Sequence, residues 1–122
     1  MSKYVLGINY GSGHNSSAAL LFNNKIVAAI EEERISRIKN DNSFPNKSID
    51  FCLNKAKIQK EDIEYIGIGW DPYSNIFRKL FFLLKTLNLR LFFRKIYFLV
   101  LSNIKLITFK KKLRKNFKNS KI

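Results

Sequence analysis

The chain changes character near the Trp70-Asp71-Pro72 segment. All nine acidic residues and all five glycines lie at or before Asp71. Residues 73–122 contain 14 of the 23 lysines and arginines and no acidic residue, so the formal charge of +14 belongs to this part alone. The sequence therefore predicts two parts: an α/β unit over residues 1–72 and a basic helical extension over residues 73–122.

The content of cysteine, histidine and apolar residues excludes several classes of protein. Cys52 is the only cysteine and His14 the only histidine, which excludes an intramolecular disulfide and a zinc finger. The longest charge-free apolar stretch of the extension, residues 96–104, is about half of the ~20 residues that a membrane-spanning helix needs. The opening residues lack the apolar run of a secretory signal. We therefore expect a cytoplasmic protein, with peripheral contact to a membrane left open.

The first 72 residues alternate short apolar segments with turn residues. The pattern predicts three strands (4–9, 17–22 and 26–30), an irregular polar stretch (34–44), a helix after Pro45 and a fourth strand with alternating burial (63–69). A glycine turn separates the first two strands and an asparagine turn the next two, which favours an antiparallel meander. This β-β-β-α-β order resembles the opening of the ribonuclease H-like fold of sugar kinases, actin and heat-shock chaperones. In that fold the glycine hairpin cradles phosphate.

The turn after the first strand carries Gly11, Gly13, His14 and Ser16. Short Gly/Ser loops expose backbone N–H groups that can hold an anion, although most such turns are only turns. A lone loop histidine is usually a solvent-exposed side chain. Beside an anion-binding turn, however, His14 has the chemistry to donate to a phosphate or to act as an acid or base.

Three acidic residues, Glu31–Glu33, precede three basic ones, Arg34, Arg37 and Lys39. We interpret this run as a solvated stretch that pairs with itself. Neighbouring residues on a strand point to opposite faces, so at most two of the carboxylates can converge, and we expect no metal site here. Lys39 is the better candidate for function, because a flexible ammonium group serves phosphate as a point charge.

Three ordered blocks in residues 3–70 resemble one family. They are GINYG (7–11) with GHNSSAAL (13–20), KIVAAIEEER (25–34), and SRIK (36–39) followed by Phe44-Pro45. Together they are similar to the ATP-dependent O-carbamoyltransferases of nodulation-factor and antibiotic tailoring.

The resemblance implies a reaction and a place for this chain in it. Such enzymes form carbamoyl-adenylate from carbamoyl phosphate and ATP in one domain. A second domain, of the sugar-kinase/actin type, passes the carbamoyl group to the hydroxyl of a small molecule or sugar, and this chain would be its N-terminal part. The resemblance implies that His14 and Lys39 line the nucleotide and carbamoyl site, with Gly11, Gly13 and Ser16 in the phosphate-binding turn.

The departures from the family pattern limit what the chain is expected to do alone. Asn15 stands where the family commonly has Asp, and Asn40 stands where it commonly has His, so neither position can titrate. The family's metal site uses a closely spaced histidine pair, and no histidine follows His14. The adenylation domain is missing as well. We therefore expect a catalytically incomplete N-terminal fragment.

The extension predicts a helix over residues 74–102, because apolar residues recur at helical spacing without Gly or Pro. Three interpretations stay open: a helical insertion docked on a longer protein, a membrane-surface helix, and a nucleic-acid-binding helix. The last is disfavoured, since the phenylalanines form a helical stripe rather than a stacking platform on strands. Residues 110–116 are interpreted as a frayed, solvated end. The alternative function is thus a non-catalytic module that presents a basic helix to anionic lipid or to a partner protein.

Overall fold

The structure is a computed structural model, which describes residues 3–10, 15–69, 78, 81–82, 85 and 89–122. Its elements in chain order are β1 (Tyr4–Asn9), β2 (Ser17–Phe22), β3 (Lys25–Glu31), α1 (Glu32–Ser36), α2 (Asn46–Ala56), a 3₁₀ turn (Lys60–Asp62), β4 (Ile63–Ile68) and α3 (Leu89–Asn116). The predicted β-β-β-α-β order of a mixed α/β unit is confirmed. Two short elements are added to it: the 3₁₀ turn before β4, and helix α1, for which the sequence predicted no regular structure.

The four strands form one sheet in the order β3-β2-β1-β4. β1, β2 and β3 are antiparallel neighbours, which confirms the predicted meander, and β4 lies parallel to β1. Asn23 and Asn24 connect β2 to β3 with φ angles of 48° and 63°. Positive φ at both central residues is typical of the two-residue turns that match strand twist, and asparagine tolerates it.

β4 departs from the predicted alternation of burial. Its two buried residues are Ile63 and Ile66, three positions apart. The register explains the spacing, because Tyr4 of β1 faces Ile63 whereas Val5 faces Tyr65, so Glu64 is skipped. This bulge moves the later side chains to the other face of the sheet.

α2 packs its apolar face on the sheet. Ile49, Cys52 and Leu53 are buried, as their spacing predicted. The Cys52 thiol lies 3.7 Å from the Ala18 carbonyl oxygen of β2 and 3.8 Å from that of Ala28 in β3. Burial raises the pKa of this thiol, so Cys52 is a packing residue rather than a nucleophile.

The chain forms two compact units, Met1–Trp70 with Lys110–Ile122, and Asp71–Phe109. The predicted boundary between residues 72 and 73 lies outside the described residues, as do residues 74–77 of the predicted helix. The predicted end of that helix near residue 102 is wrong, because α3 continues to Asn116.

The prediction of a frayed, solvated end at residues 110–116 is wrong for the backbone, which is helical, and for Leu113, although the basic side chains of this stretch are exposed. Leu113 is 0% exposed, and Phe117, one helical turn on, is 2% exposed. Beyond them, the Lys121 N–H donates to the Glu64 carbonyl and the Ile66 N–H donates to the Lys121 carbonyl. The C-terminal residues therefore pair with the edge of β4 and protect backbone groups that an edge strand would otherwise expose.

Candidate functional site

The carboxyl ends of β1 and β4 lie side by side at one edge of the sheet. The Gly69 N–H, just past β4, donates to the Ile8 carbonyl at 3.1 Å. A Cβ atom on Gly69 would lie 3.8 Å from that same oxygen and 4.0 Å from Oδ1 of Asn9. Ligands of open α/β sheets bind outside the carboxyl ends of parallel strands. The connection from β1 to β2 begins at this place.

A side-chain hydrogen bond joins the two ends of the connection between β1 and β2. Nδ2 of Asn9, the last residue of β1, donates to the Asn15 carbonyl at 3.1 Å. Three of the predicted site residues, Gly11, Gly13 and His14, lie within the loop that this bond closes and outside the described residues. Their roles stay predictions.

Ser16 is the predicted site residue that the structure places most fully. It is 0% exposed, its N–H donates to the Asp41 carbonyl at 2.9 Å, and its own carbonyl accepts from the Glu32 N–H at 2.8 Å. Its Oγ is buried and has no hydrogen-bond partner among the described residues. A buried hydroxyl without a partner costs stability, so its position calls for an explanation beyond packing.

Glu32, whose N–H donates to the Ser16 carbonyl, connects this place to the start of α2. Its carboxylate is buried and accepts from the Lys47 N–H at 3.1 Å, the Ser48 N–H at 2.8 Å and the Ser48 hydroxyl at 2.7 Å. These are the first free donors of α2, a helix with no acidic residue in its own first turn and no side-chain cap. Glu32 thus caps α2 from a distance and ties it to Ser16.

The interpretation of Glu31–Glu33 as a solvated, self-paired run is therefore wrong for Glu32. It fits the outer two better, since Glu31 and Glu33 each approach Arg34 at 3.9 Å. The signal that could have identified Glu32 was the missing cap of α2, because its first-turn N–H groups required an acceptor from elsewhere in the chain.

The segment that carries Lys39 is fixed next to Ser16. The Asn40 N–H donates to Oε2 of Glu33 at 3.0 Å, and Asp41, the acceptor for Ser16, is itself buried. Hydrogen bonds from the Ser36 hydroxyl and from Ser43 lower the pKa of Asp41. The Lys39 side chain is exposed, two residues from the contact with Ser16. The structure thus brings Ser16 and the Lys39 segment together and leaves the ammonium group accessible to a ligand.

Within the described part of the chain, no three His, Cys, Asp or Glu side chains form a group that could hold a metal ion. None of the described helices has the length and apolar character needed to cross a membrane.

Comparison with known families shows to which family the chain belongs. The family model described as Carbamoyltransferase N-terminus matches residues 4–117. The chain belongs to this family. The match extends beyond the three blocks in residues 3–70 and includes most of the basic extension. The matched region of this chain thus contains α3 as well as the sheet.

Individual relatives of this carbamoyltransferase N-terminus align over shorter stretches. An uncharacterized protein of Methanocaldococcus jannaschii is 43% identical over 65 residues, which are 53% of this chain and 12% of that protein. An uncharacterized protein of Synechocystis sp. is 44% identical over 63 residues, 52% of this chain and 10% of that protein. Nodulation protein NolNO of Sinorhizobium fredii is 43% identical over 54 residues, 44% of this chain and 8% of that protein. The matched stretch is thus a small part of each relative.

Proposed function

We propose that this chain is the N-terminal part of an enzyme that transfers a carbamoyl group from carbamoyl phosphate, through carbamoyl-adenylate, to a substrate hydroxyl. The proposal includes an actin/sugar-kinase-like architecture for the complete domain and ATP as the nucleotide. The observation that carries it is the hydrogen bond from the Ser16 N–H to the Asp41 carbonyl. That bond joins the glycine-turn motif to the Lys39 motif, two blocks that are distant in sequence and that both carry phosphate chemistry.

The residues at this junction have the chemistry of a phosphate-binding site. The Lys39 ammonium supplies a mobile positive charge, and the Gly/Ser composition of residues 11–16 is typical of loops that hold an anion on backbone N–H groups. The buried Ser16 Oγ, which has no partner among the described residues, fits a group that a bound anion would satisfy. In the complete enzyme, ATP would supply the adenylyl group of carbamoyl-adenylate, the nucleotide that this site would receive.

His14 is the titratable residue that the proposal places in this turn. It is the only histidine of the sequence, and the neighbouring motif positions hold Asn15 and Asn40, which cannot exchange protons near neutral pH. His14 therefore donates a hydrogen bond or a proton to the phosphate or to the carbamoyl oxygen, where charge develops. The proposal assigns no metal ligand to this chain.

Calorimetric titration of the 122-residue chain with ATP tests this site. We expect His14→Ala and Lys39→Ala each to weaken binding about tenfold, as for the loss of one charge-assisted contact. Lys55→Ala is the matched control, because it removes an exposed lysine from the last turn of α2, and it should change the affinity less than about twofold. Equal effects in Lys39→Ala and Lys55→Ala, or no binding to the wild-type chain at millimolar ATP, would refute the site.

A second candidate function is supported by the surface of α3. Six apolar side chains at helical spacing form an exposed stripe, which we call the apolar stripe: Phe93, Ile96, Tyr97, Val100, Ile104 and Ile107. Arg94 and Lys105, three turns apart, flank it on one side, and no acidic residue lies anywhere in residues 73–122. A basic helix with an aromatic and aliphatic face is complementary to an anionic lipid surface.

Vesicle co-sedimentation of the whole chain tests this candidate. We expect retention on vesicles that contain phosphatidylserine, little retention on phosphatidylcholine alone, and release at high salt. Phe93→Ser and Ile104→Ser should abolish retention, whereas Ile26→Ser, at an exposed position of β3, should not. Equal retention on both vesicle types, or a stable dimer by light scattering that the Phe93→Ser substitution dissociates, would assign the stripe to another partner.

A further inference from the structure

Glu33 holds the loop that carries Lys39 through both its backbone and its side chain. Its carbonyl accepts from the Arg37 N–H at 2.9 Å, at the end of α1, and its Oε2 accepts from the Asn40 N–H at 3.0 Å. Lys39 lies between these two anchored residues. The second bond spans seven residues, so it closes the loop rather than continuing the helix.

Both anchored residues have a backbone conformation that needs support. Arg37 has a φ angle of 62° and Asn40 one of 56°, in the left-handed region that is unfavourable for residues with a side chain. Such conformations persist where the surrounding contacts determine them, and Glu33 supplies a hydrogen bond at both positions. The backbone on either side of Lys39 therefore depends on Glu33.

Glu31 offers a direct comparison with Glu33. Both carboxylates approach Nε of Arg34 at 3.9 Å, and this guanidinium is itself well exposed, so the two ion pairs contribute little. The side chain of Glu31 is 46% exposed, whereas that of Glu33 is 20% exposed. Among the described residues, only the carboxylate of Glu33 also accepts a hydrogen bond from the loop of residues 37–40. The bond to Asn40 is thus what distinguishes the two residues.

We propose that Glu33 is a positioning residue for Lys39, because it fixes the loop that presents the ammonium group to a phosphate. This inference rests on the proposed function, in which Lys39 contacts the phosphate of the nucleotide. A loop that is already ordered loses less conformational freedom when it binds, and its lysine therefore binds more tightly. The charge of Glu33 acts in the opposite direction, since a carboxylate near an anion weakens binding by repulsion. The sign of the effect therefore separates positioning from charge.

Two conservative variants separate the reach of this side chain from its charge. Glu33→Gln loses the charge but keeps an oxygen that accepts from the Asn40 N–H, whereas Glu33→Asp keeps the charge on a side chain one methylene shorter. The whole chain is titrated calorimetrically with AMP, which has the adenylyl phosphate of carbamoyl-adenylate. We expect Glu33→Asp to weaken AMP binding about fivefold and Glu33→Gln to keep the affinity within about twofold. Glu31→Asp is the matched control and should change the affinity less than about twofold.

Two further measurements distinguish positioning of Lys39 from a general structural effect. Hydrogen-exchange protection of the Asn40 amide should be lost in Glu33→Asp and kept in Glu33→Gln. In a chain that already carries Lys39→Ala, Glu33→Asp should weaken AMP binding no further, because both residues act through the same contact with the phosphate.

The outcomes separate this inference from the proposed function. An affinity for AMP that is as low in Glu33→Gln as in Glu33→Asp, or that is unchanged in Glu33→Asp, would overturn the role of Glu33 and leave the contribution of Lys39 in place. Additive losses from Glu33→Asp and Lys39→Ala would also overturn it. If Lys39→Ala alone leaves AMP binding unchanged, the nucleotide site itself is refuted, even where the Asn40 amide shows that Glu33 holds the loop.

Discussion

The sheet unit buries its central apolar side chains, whereas many apolar side chains of the helical segment 89–109 are exposed. In the sheet unit, Leu6 and Leu20 are 0% exposed. In the helical segment, Phe93 is 63% exposed and Ile107 is 66% exposed. The change occurs within α3 itself, because Leu113, six residues after Ile107, is again 0% exposed. Apolar character alone therefore does not decide burial here. What decides it is the packing at each position, since Ile26 of the sheet unit is 71% exposed and Phe109 of the helical segment is 3% exposed.

Charged residues differ between the same two regions. In the sheet unit the carboxylates of Glu32 and Asp41 are buried and accept hydrogen bonds from named donors. The helical segment contains basic residues and no carboxylate. The sheet unit thus satisfies these two carboxylates internally, whereas the helical segment combines basic residues with exposed apolar side chains.

The largest expected effect comes from shortening a buried side chain of α3, Leu113, and an exposed one, Ile107, to alanine. Leu113→Ala should lower the free energy of unfolding by about 2–5 kcal/mol, because it leaves a cavity at a fully buried position. Ile107→Ala should change it by less than about 0.5 kcal/mol, since that side chain is already in water. Urea unfolding followed by circular dichroism measures both. A comparable loss in the two variants would mean that Ile107 is buried in solution and that the comparison is wrong.

The buried carboxylate of Glu32 should give the next largest effect. Glu32→Gln replaces one acceptor oxygen by an amide that faces donors of Lys47 and Ser48, and it should cost about 2–4 kcal/mol. Glu31→Gln removes the same charge from a half-exposed side chain and should cost less than about 0.5 kcal/mol. Equal stabilities of the two variants in urea would show that Glu32 does not cap α2.

Local patterns predicted much of the sheet unit, and distant partners account for most of what they missed. The strands 4–9 and 17–22 and the face formed by Ile49, Cys52 and Leu53 follow from apolar spacing and turn residues, which act over a few positions. The cap from Glu32 to Ser48 spans sixteen residues, so no local pattern reveals it.

The end of α3 was missed for a different reason. Phe109, Leu113 and Phe117 recur every four residues, which is a helical signal, but the lysines between them suggested a solvated end. Of the candidate site, Ser16 and Lys39 were predicted from the sequence and their roles stay predictions, whereas the hydrogen bond between Ser16 and the Lys39 segment was not foreseen. A β–turn–β motif and a loop 25 residues later carry no local sign that they meet.

Two buried serines should respond to the same substitution with opposite signs. Ser48→Ala removes a hydroxyl that donates to Glu32 at 2.7 Å and should cost about 1 kcal/mol. Ser16→Ala removes a hydroxyl with no partner among the described residues and should stabilise the chain by about 1 kcal/mol while weakening ATP binding. Urea unfolding measures the stability of both variants, and titration with ATP measures their affinity for the nucleotide. If Ser16→Ala destabilises as Ser48→Ala does, the Ser16 hydroxyl makes a structural bond and the argument for an anion beside it fails.

The smallest expected effect is a loss of hydrogen-exchange protection at acid pH in the sheet unit but not in the helical segment. The Ser36 hydroxyl and Ser43 hold the pKa of Asp41 below its ordinary value of 3.8. Because the folded pKa is lowered, Asp41 stabilises the fold above pH 3.8, and that contribution disappears as the pH falls through the folded pKa. Hydrogen-exchange protection of the Ser16 and Ser43 amides should therefore decline in this range. Protection in residues 94–107 should stay constant, since that stretch has no carboxylate. Asp41→Asn should remove the pH dependence at Ser16 and Ser43, and a decline that persists in this variant would assign the effect to another carboxylate, such as Glu64, whose pKa Lys3 lowers.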